Sequence, residues 1–338
     1  MDTLTHIALG ACIGEAFLGK KIGRKAMLWG ALAQSAPDID FVGAFWLNTT
    51  ENLLGHRGFT HSILFAAAAA VLLALIADRV HRPHDIRTRT WFLFFGVEVF
   101  GHIFIDAFNN YGVGWFEPFS HHRFSFNAIY VADPFFSIWP GIACIALIFL
   151  RRTSRARNAW WKFGIGLCSF YLLYCLFNKI KITREVDEIV ARQGIPHQRY
   201  FTTPAPLQNW LWYVVSGNDS GYYVGYRSVF DSRKQMDFHF FPANRYLLET
   251  DSLRHDPDLQ RLKRFAQEFY TVEKWSDTLV FNDLRFGQEV GWFDPAGKFA
   301  FHYYLSLPGD NTLVVQRGRF AGWNRAAFKS MGQRITGN

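Results

Sequence analysis

Residues 56–77 read HRGFTHSILFAAAAAVLLALIA. From Ser62 to Ala77 the run carries no charge, and its length approaches the roughly 17 to 25 residues with which a helix crosses a hydrocarbon core. This stretch predicts a membrane-spanning helix with two imidazoles, His56 and His61, at its entrance. Trp91 to Phe108, Pro134 to Leu150 and Trp160 to Phe177 read the same way. Leu4 to Leu18 and Ala26 to Leu47 are weaker, because glycines and polar residues interrupt them; packed or re-entrant helices are the alternative there. The expectation for the N-terminal half is a mainly α, polytopic membrane helical bundle of four to six spans. Composition agrees: the 338 residues are 50% hydrophobic and 19% charged, against about 25% charged in soluble chains.

The formal charge of +8 is informative by position. Lys20, Lys21, Arg24 and Lys25 form one basic cluster, Arg79, Arg82, Arg87 and Arg89 a second, and Arg151, Arg152, Arg155, Arg157 and Lys162 a third. They occupy alternate connections between the six apolar segments, which places all three on the cytoplasmic face. The connections 47–61 and 109–133 then face outward, and the chain is expected to be a multi-pass protein of the inner (cytoplasmic) membrane. Topology alone produces such short basic loops, so no nucleic-acid partner is expected. The start MDTLTH has an acid and a histidine where a cleavable signal would carry basic residues. Cys12, Cys144, Cys168 and Cys175 all lie in apolar segments without metal-ligand spacing and read as packing residues.

Past Asn178 the character changes. Lys179 to Gln193 reads as an exposed helix and Gly194 to Pro206 as a proline-punctuated linker. Short aromatic and β-branched runs follow at Leu211 to Ser216, Tyr222 to Phe230, Met236 to Phe241, Thr278 to Phe286, Lys298 to Leu307 and Thr312 to Gln316. Asp256 to Val272 reads as an amphipathic helix between strands. The division expected is a membrane-embedded helical metal-site domain over 1–178 and an α+β extramembrane domain over 179–338, on the outer side if the sixth segment spans. His197, His239, His255 and His302 share no spacing and read as structural.

The polar residues of the apolar half carry the chemistry. Asp2 and His6 are i,i+4 neighbours on the first helix. In PDID, Pro37 breaks the helix and brings Asp38 and Asp40 into an apolar segment, at a cost of roughly 2.5 to 3.5 kcal/mol each unless paired or bound to a cation. Capping of the next turn is the alternative for either acid. Around Gly58, His56 and His61 can both turn inward from a loop, with Thr60 as the cap of the helix. Arg57 suits a phosphate or a carboxylate, or else pairs with a nearby acid. Glu98, His102 and Asp106 follow at i, i+4 and i+8, within a stripe about 80° wide. Carboxylates and imidazoles are ligands of borderline metals such as zinc, and the topology sends this set to one face, opposite the basic loops. In the 109–133 loop, His121 and His122 are second choices for ligation. Asp133 before Pro134 reads as an N-cap with proline at the first helical position.

LTH at 4–6, PDID at 37–40, HRGFTHS at 56–62, GHIFID at 101–106, YGVGWFEPFSHHRFSF at 111–126 and DPFF at 133–136 together resemble the YdjM-like family of membrane-bound, metal-dependent hydrolases. The resemblance covers about residues 1 to 180. That family is distantly similar to zinc-dependent phospholipase C and the single-strand nucleases, helical enzymes that cleave phosphoesters with a multinuclear zinc cluster. Carried over, the resemblance implies metal positions at His6, Asp38, His61, His102 and Asp106, with Asp40 and His56 as additions. The soluble enzymes also use a mature N-terminal amine, whereas this chain starts at Met1.

The function expected is that of a membrane-bound hydrolase of phosphoesters or phospholipid-like substrates, small-molecule or lipid, using water activated by one to three zinc ions or another divalent metal. Arg57 would stabilise developing negative charge, and Asp40 or Glu98 would accept a proton. The alternative is a non-catalytic membrane protein with a structural metal site and a partner-binding C-terminal domain. A proton pathway through Glu98, His102 and Asp106 ranks behind both, because Trp91 to Val97 offers no polar continuation.

Overall fold

In the computed structural model, which describes residues 1–82, 86–305 and 322–337, every apolar segment of the N-terminal half is helical. The helices are α1 (Thr3–Ile22), α2 (Arg24–Gln34), the short α3 (Thr49–Gly55), α4 (Ile63–Val80), α5 (Thr88–Asp106), α6 (Pro134–Phe149) and α7 (Ala156–Gln193). Asp2 starts α1 by accepting the Thr5 amide at 3.0 Å. Asp133 caps α6 through the Phe135 amide with Pro134 in the first turn, as its sequence predicts. The cap of α4 differs from expectation. It is Ser62, whose hydroxyl accepts the Phe65 amide at 3.0 Å, while Thr60 turns its hydroxyl to Asp40.

Two boundaries correct the sequence reading. The Ala26 to Leu47 segment is not one helix: α2 stops at Gln34, and the chain tightens into a 3₁₀ helix over Pro37–Phe45. Proline at 37 lacks the amide that would continue the ladder and pushes the preceding residues away from helical geometry. Conversely, Trp160 to Phe177 and Lys179 to Gln193 are one uninterrupted helix, since no glycine or proline lies between them to end it. Among the described residues α4 and α7 are long and apolar enough to cross a membrane, α6 is a shorter apolar helix, and the expected four to six spans are not reached on that criterion. The apolar stretches of α4 and α7 are each only 22% buried, unlike the core helix of a soluble protein. Leu72, Leu75, Phe170 and Leu173 stand exposed on them.

Contacts divide the chain into two compact units. The first holds Met1–Phe45, Gly55–Leu176 and Pro206–Gln208; the second holds Trp46–Leu54, Phe177–Ala205 and Asn209–Asn338. In the first unit α1 packs on α2 and α6, α4 on α5, and α2 on α5. Ala66, Ala70, Ala74 and Ala77 form a buried stripe on α4 within the core that contains Trp91, Phe94, Phe95 and Val99 of α5. The α1–α2 contact is closer still. A Cβ on Gly14 would overlap the carbonyl oxygen of Ala26, and one on Gly30 would overlap that of Gly10, so glycine is required for the two backbones to meet.

The second unit is α+β. Strands β1 (Arg199–Pro204), β2 (Leu211–Asn218), β3 (Gly221–Ser228) and β4 (Phe238–Pro242) form an antiparallel sheet in that order, and β5 (Tyr270–Trp275), β6 (Thr278–Asp283) and β7 (His302–Tyr304) form a second. Alternation along β2 sends Tyr213 and Val215 into one core, while Trp212 and Val214 join a cluster with Ile182, Val186, Ile189 and Val190 from the end of α7. The remaining helices are α8 (Asp251–Arg254), α9 (Pro257–Ala266) and α10 (Arg325–Ile335). Two strands sit where the sequence suggests none. β1 falls in the predicted linker, where its prolines lie at or beyond the ends of the paired segment, and β5 takes the tail of the helix expected over Asp256 to Val272, after α9 ends at Gln267 in the left-handed region. The strand expected at Thr312 to Gln316 lies outside the described residues.

The glycine contact is testable. Gly30→Ala should destabilise the detergent-solubilised protein by about 1 to 3 kcal/mol through overpacking, read as a lower melting temperature. Gly96→Ala, on α5 with nothing within 4 Å of the added carbon, should leave it unchanged or slightly raised.

Candidate metal centre

Asp38, His61, His102 and Asp106 bring one ligand atom each to within 4.8 Å of one another. Each arrives from a different local cause. Asp38 sits in the first turn of the 3₁₀ helix that Pro37 forces. His61 ends the short 3₁₀ turn Phe59–His61, just before the Ser62 cap. His102 and Asp106 are i,i+4 partners in the last turns of α5. Nε2 of His61 lies 3.2 Å from Nε2 of His102, and Oδ1 of Asp38 lies 3.6 Å and 3.5 Å from these two nitrogens. Oδ2 of Asp106 is 3.5 Å from His61 and 3.7 Å from His102. His61, His102 and Asp106 are fully buried, and Asp38 is 15% exposed.

The far side of each ring is anchored. His61 Nδ1 lies 3.1 Å from the Thr60 hydroxyl, which itself donates to Asp40, and 3.4 Å from Asp40 Oδ2, and His102 Nδ1 donates to the backbone carbonyl of Gln34. This is the arrangement by which metal-binding histidines fix their tautomer and direct the other nitrogen to an ion. The donor set is two carboxylates and two imidazoles, which suits a divalent metal of borderline softness. Oδ2 of Asp106 is buried without a well-formed hydrogen bond; Arg57 Nε lies 3.1 Å from it on one side, and the lone pair toward His61 and His102 is left for a cation.

The other expected residues surround this group in different ways. His6 stacks on His102 at 3.8 Å between ring centroids, with Nε2 at 3.2 Å from Asp106 Oδ1 and Nδ1 at 3.2 Å from Gln34 Oε1. Asp40 is held by the Arg57 amide at 2.8 Å, the Thr60 hydroxyl at 2.9 Å and His56 Nδ1 at 3.0 Å; it braces His61 and His56 from behind. His56 is 37% exposed at the rim. The Arg57 guanidinium is spent inward, with Nε 3.1 Å from Asp106 Oδ2, a bond to Asn109 at 2.7 Å and the Tyr111 ring below it. Of the two readings of Arg57, this is the paired one. Glu98 is buried against Gly30 and its carboxylate makes no hydrogen bond or ion pair with the gathered donors. In the 109–133 loop, His121 pairs with Glu117 at 2.8 Å on the exposed stretch 118–122, and His122 packs on Phe124.

Gln34, Asn109, Arg123 and the α-amino group of Met1 also belong to the site. Gln34 organises two histidines from the end of α2, Arg123 holds the His56 carbonyl at 3.0 Å, and the Met1 amine meets Asp106. The sequence signal for Gln34 is an amide in an apolar segment, three residues before the helix-breaking Pro37.

Charge balance follows from these contacts. Burial alone would lower the His61 pKa, but Asp106, Asp38 and Asp40 outweigh it and raise it from 6.5 to about 9. Burial likewise opposes the ionised forms of Asp38 and Asp40, yet their histidine partners hold both well below the usual carboxylate range. A protonated His61 imidazole, together with the Arg57 guanidinium, balances these carboxylates. A metal ion needs the ring neutral and so displaces that proton. Affinity for a divalent cation should therefore rise with pH until about 9, with close to one proton released at neutral pH in calorimetry across buffers of different ionisation enthalpy. Asp40→Asn should weaken binding about 10- to 100-fold at unchanged stoichiometry.

Residues 1–182 match the model of a family described as YdjM inner membrane protein. The uncharacterized protein YfhP of Bacillus subtilis (strain 168) is 31% identical over 347 aligned positions, covering 96% of this chain and 95% of that one. Inner membrane protein YbcI of Escherichia coli (strain K12) is 35% identical over 123 residues, covering 36% of this chain and 69% of its own. No solved structure matches at a significant level. The match runs from the N-terminus into α7 and includes every residue of the Asp and His cluster, and the chain belongs to the YdjM inner membrane protein family.

Proposed function

We propose that this protein is a multi-pass inner-membrane hydrolase that uses zinc to cleave phosphoesters, with its metal site and C-terminal domain on the outer face. The observation that carries the reading is the convergence of Asp38, His61, His102 and Asp106 with both histidines anchored at their second nitrogens. A zinc ion held by Asp38, His61, His102 and Asp106 would lower the pKa of its water from 15.7 to about 7 and would polarise a phosphoryl oxygen. The protein's own part is positioning. Arg57 acts through Asp106, holding that carboxylate in place. Asp40 orients His61 and His56 and, with its oxygens already engaged, is not the proton acceptor. His56 is suited to accept the proton, because Asp40 takes its Nδ1, Nε2 has no hydrogen-bond partner among the described residues, and the ring is partly exposed at the rim. Glu98, which touches none of the gathered donors, is left out of the chemistry.

A lipid-like substrate is favoured by an apolar groove of about 500 Å³ along α5, lined by Ile63, Val97, Phe100, Phe104 and Trp115. It runs beside the helix that carries His102 and Asp106 and can take an acyl chain. The second reading, a structural metal with a partner-binding C-terminal domain, draws on the same four donors, since four protein ligands can close a tetrahedral site. The exposed edge at Asp38 and His56 favours the open, catalytic version.

Elemental analysis of the detergent-purified protein should find stoichiometric zinc that is lost in both His61→Ala and His102→Ala. Phospholipid and bis(4-nitrophenyl) phosphate hydrolysis should require it. His56→Gln should keep the metal and lower turnover by about 10²- to 10⁴-fold. Wild-type protein that remains metal-free in the presence of zinc would remove the hydrolase reading, and zinc-loaded protein inert to phosphoesters would select the structural one.

A further inference from the structure

We infer that the first unit carries a second binding site, for the phosphate of an acidic phospholipid headgroup, between the end of α1 and the start of α7. The site is independent of the metal centre and of the hydrolase reading. It is a cavity of about 670 Å³ whose walls come from 15–21 on α1 and from 152–161 around the α6–α7 connection.

Its floor is built and its charge is unspent. Arg157 is buried, gripping Glu15 with two bonds of 2.7 and 2.6 Å and donating to the carbonyls of Leu147 and Leu150 at 2.7 and 3.0 Å. Gly19 leaves room for the Glu15 carboxylate, which an added Cβ would strike. Arg152 closes the end of α1 through the Lys21 carbonyl at 2.6 Å. With Glu15 consumed, Lys20, Lys21 and Arg155 line the cavity with no carboxylate in ion-pair distance among the described residues. Thr153 and Asn158 add neutral donors, and the first turn of α7 contains no acid.

The bland reading is that these are solvated loop charges left by membrane topology. Concavity argues against it, as do Phe17 and Trp161 in the same wall. A free anion has no use for an aromatic side, whereas a headgroup leads directly into glycerol and acyl chains. Basic pockets between membrane helices bind such headgroups. The second basic cluster offers a contrast, because Arg82 there is paired with Asp78 at 2.9 Å.

The test titrates the full-length, detergent-solubilised protein with dioleoyl phosphatidylglycerol, tetraoleoyl cardiolipin or dioleoyl phosphatidylcholine and counts bound lipid by native mass spectrometry. Saturable binding of one acidic lipid per chain is expected, with phosphatidylcholine far weaker and millimolar inorganic phosphate unable to displace it. Lys20→Ala/Lys21→Ala/Arg155→Ala should weaken binding about 100-fold, from roughly fivefold per basic residue. Arg79→Ala/Arg87→Ala/Arg89→Ala should leave it unchanged. Should the first triple variant fail to fold, Lys20→Gln/Lys21→Gln keeps the aliphatic stems and should still lose about 30-fold at an unchanged melting temperature. Equal losses in both triple variants, equal binding of phosphatidylcholine, or full displacement by inorganic phosphate would each overturn the proposal, the last by making this a site for free phosphate.

Discussion

A buried carboxylate that stays ionised must be answered by a cation, and in this protein Asp106 sets that requirement. Its two oxygens face the Met1 amine, His6, His61, His102 and Arg57, which come from three separate stretches of chain. Isolated in an apolar interior, such a group would cost several kcal/mol. Surrounded as it is, it fastens α1, the Arg57–His61 segment and α5 together. The charges that make the site chemically able are thus the same ones that hold this unit together. A site of this kind depends on its surroundings as a whole, since each donor is oriented by another polar group.

The glycines of α1 and α2 are the second condition. His6 and Gln34 meet only because the two backbones approach at Gly10, Gly14 and Gly30 without side chains between them. That approach delivers the Gln34 carbonyl to His102 and its side-chain oxygen to His6. Packing and site geometry are therefore one constraint, set by residues that carry no chemistry.

Between the acid motif and the histidine motif, Trp46–Leu54 belongs to the second unit. There Thr50 donates to Asp258 at 2.5 Å and Glu51 pairs with Arg261 at 2.9 Å, both partners on α9. The chain thus leaves the helical unit after Asp40 and returns before His56. The two motifs read as one stretch in sequence, yet separate contacts place their ends.

Much of this was legible from residue order. Uninterrupted apolar runs become helices because the backbone has nowhere else to place its hydrogen bonds, and Pro37 ends one because it has no amide to give. The i,i+4 spacing of His102 and Asp106 puts both on one face whatever surrounds them, and Asp38 and His61 could be named from residue type and motif. The sequence could not separate the residues that face the centre from those that brace it. Asp40, His56 and Arg57 have the same chemistry as their neighbours, and only tertiary packing assigns Asp40 to the back of His61, Arg57 to Asp106 and Glu98 to a place beside Gly30. Nor could it show β1 and β5: each pairs with the strand that follows it, but prolines flank β1 and a helix-like run leads into β5, which masks the strand pattern. Local propensity and spacing determined which residues were available. Long-range packing, through charge neutralisation at Asp106 and the close approach of glycines, decided what each of them does.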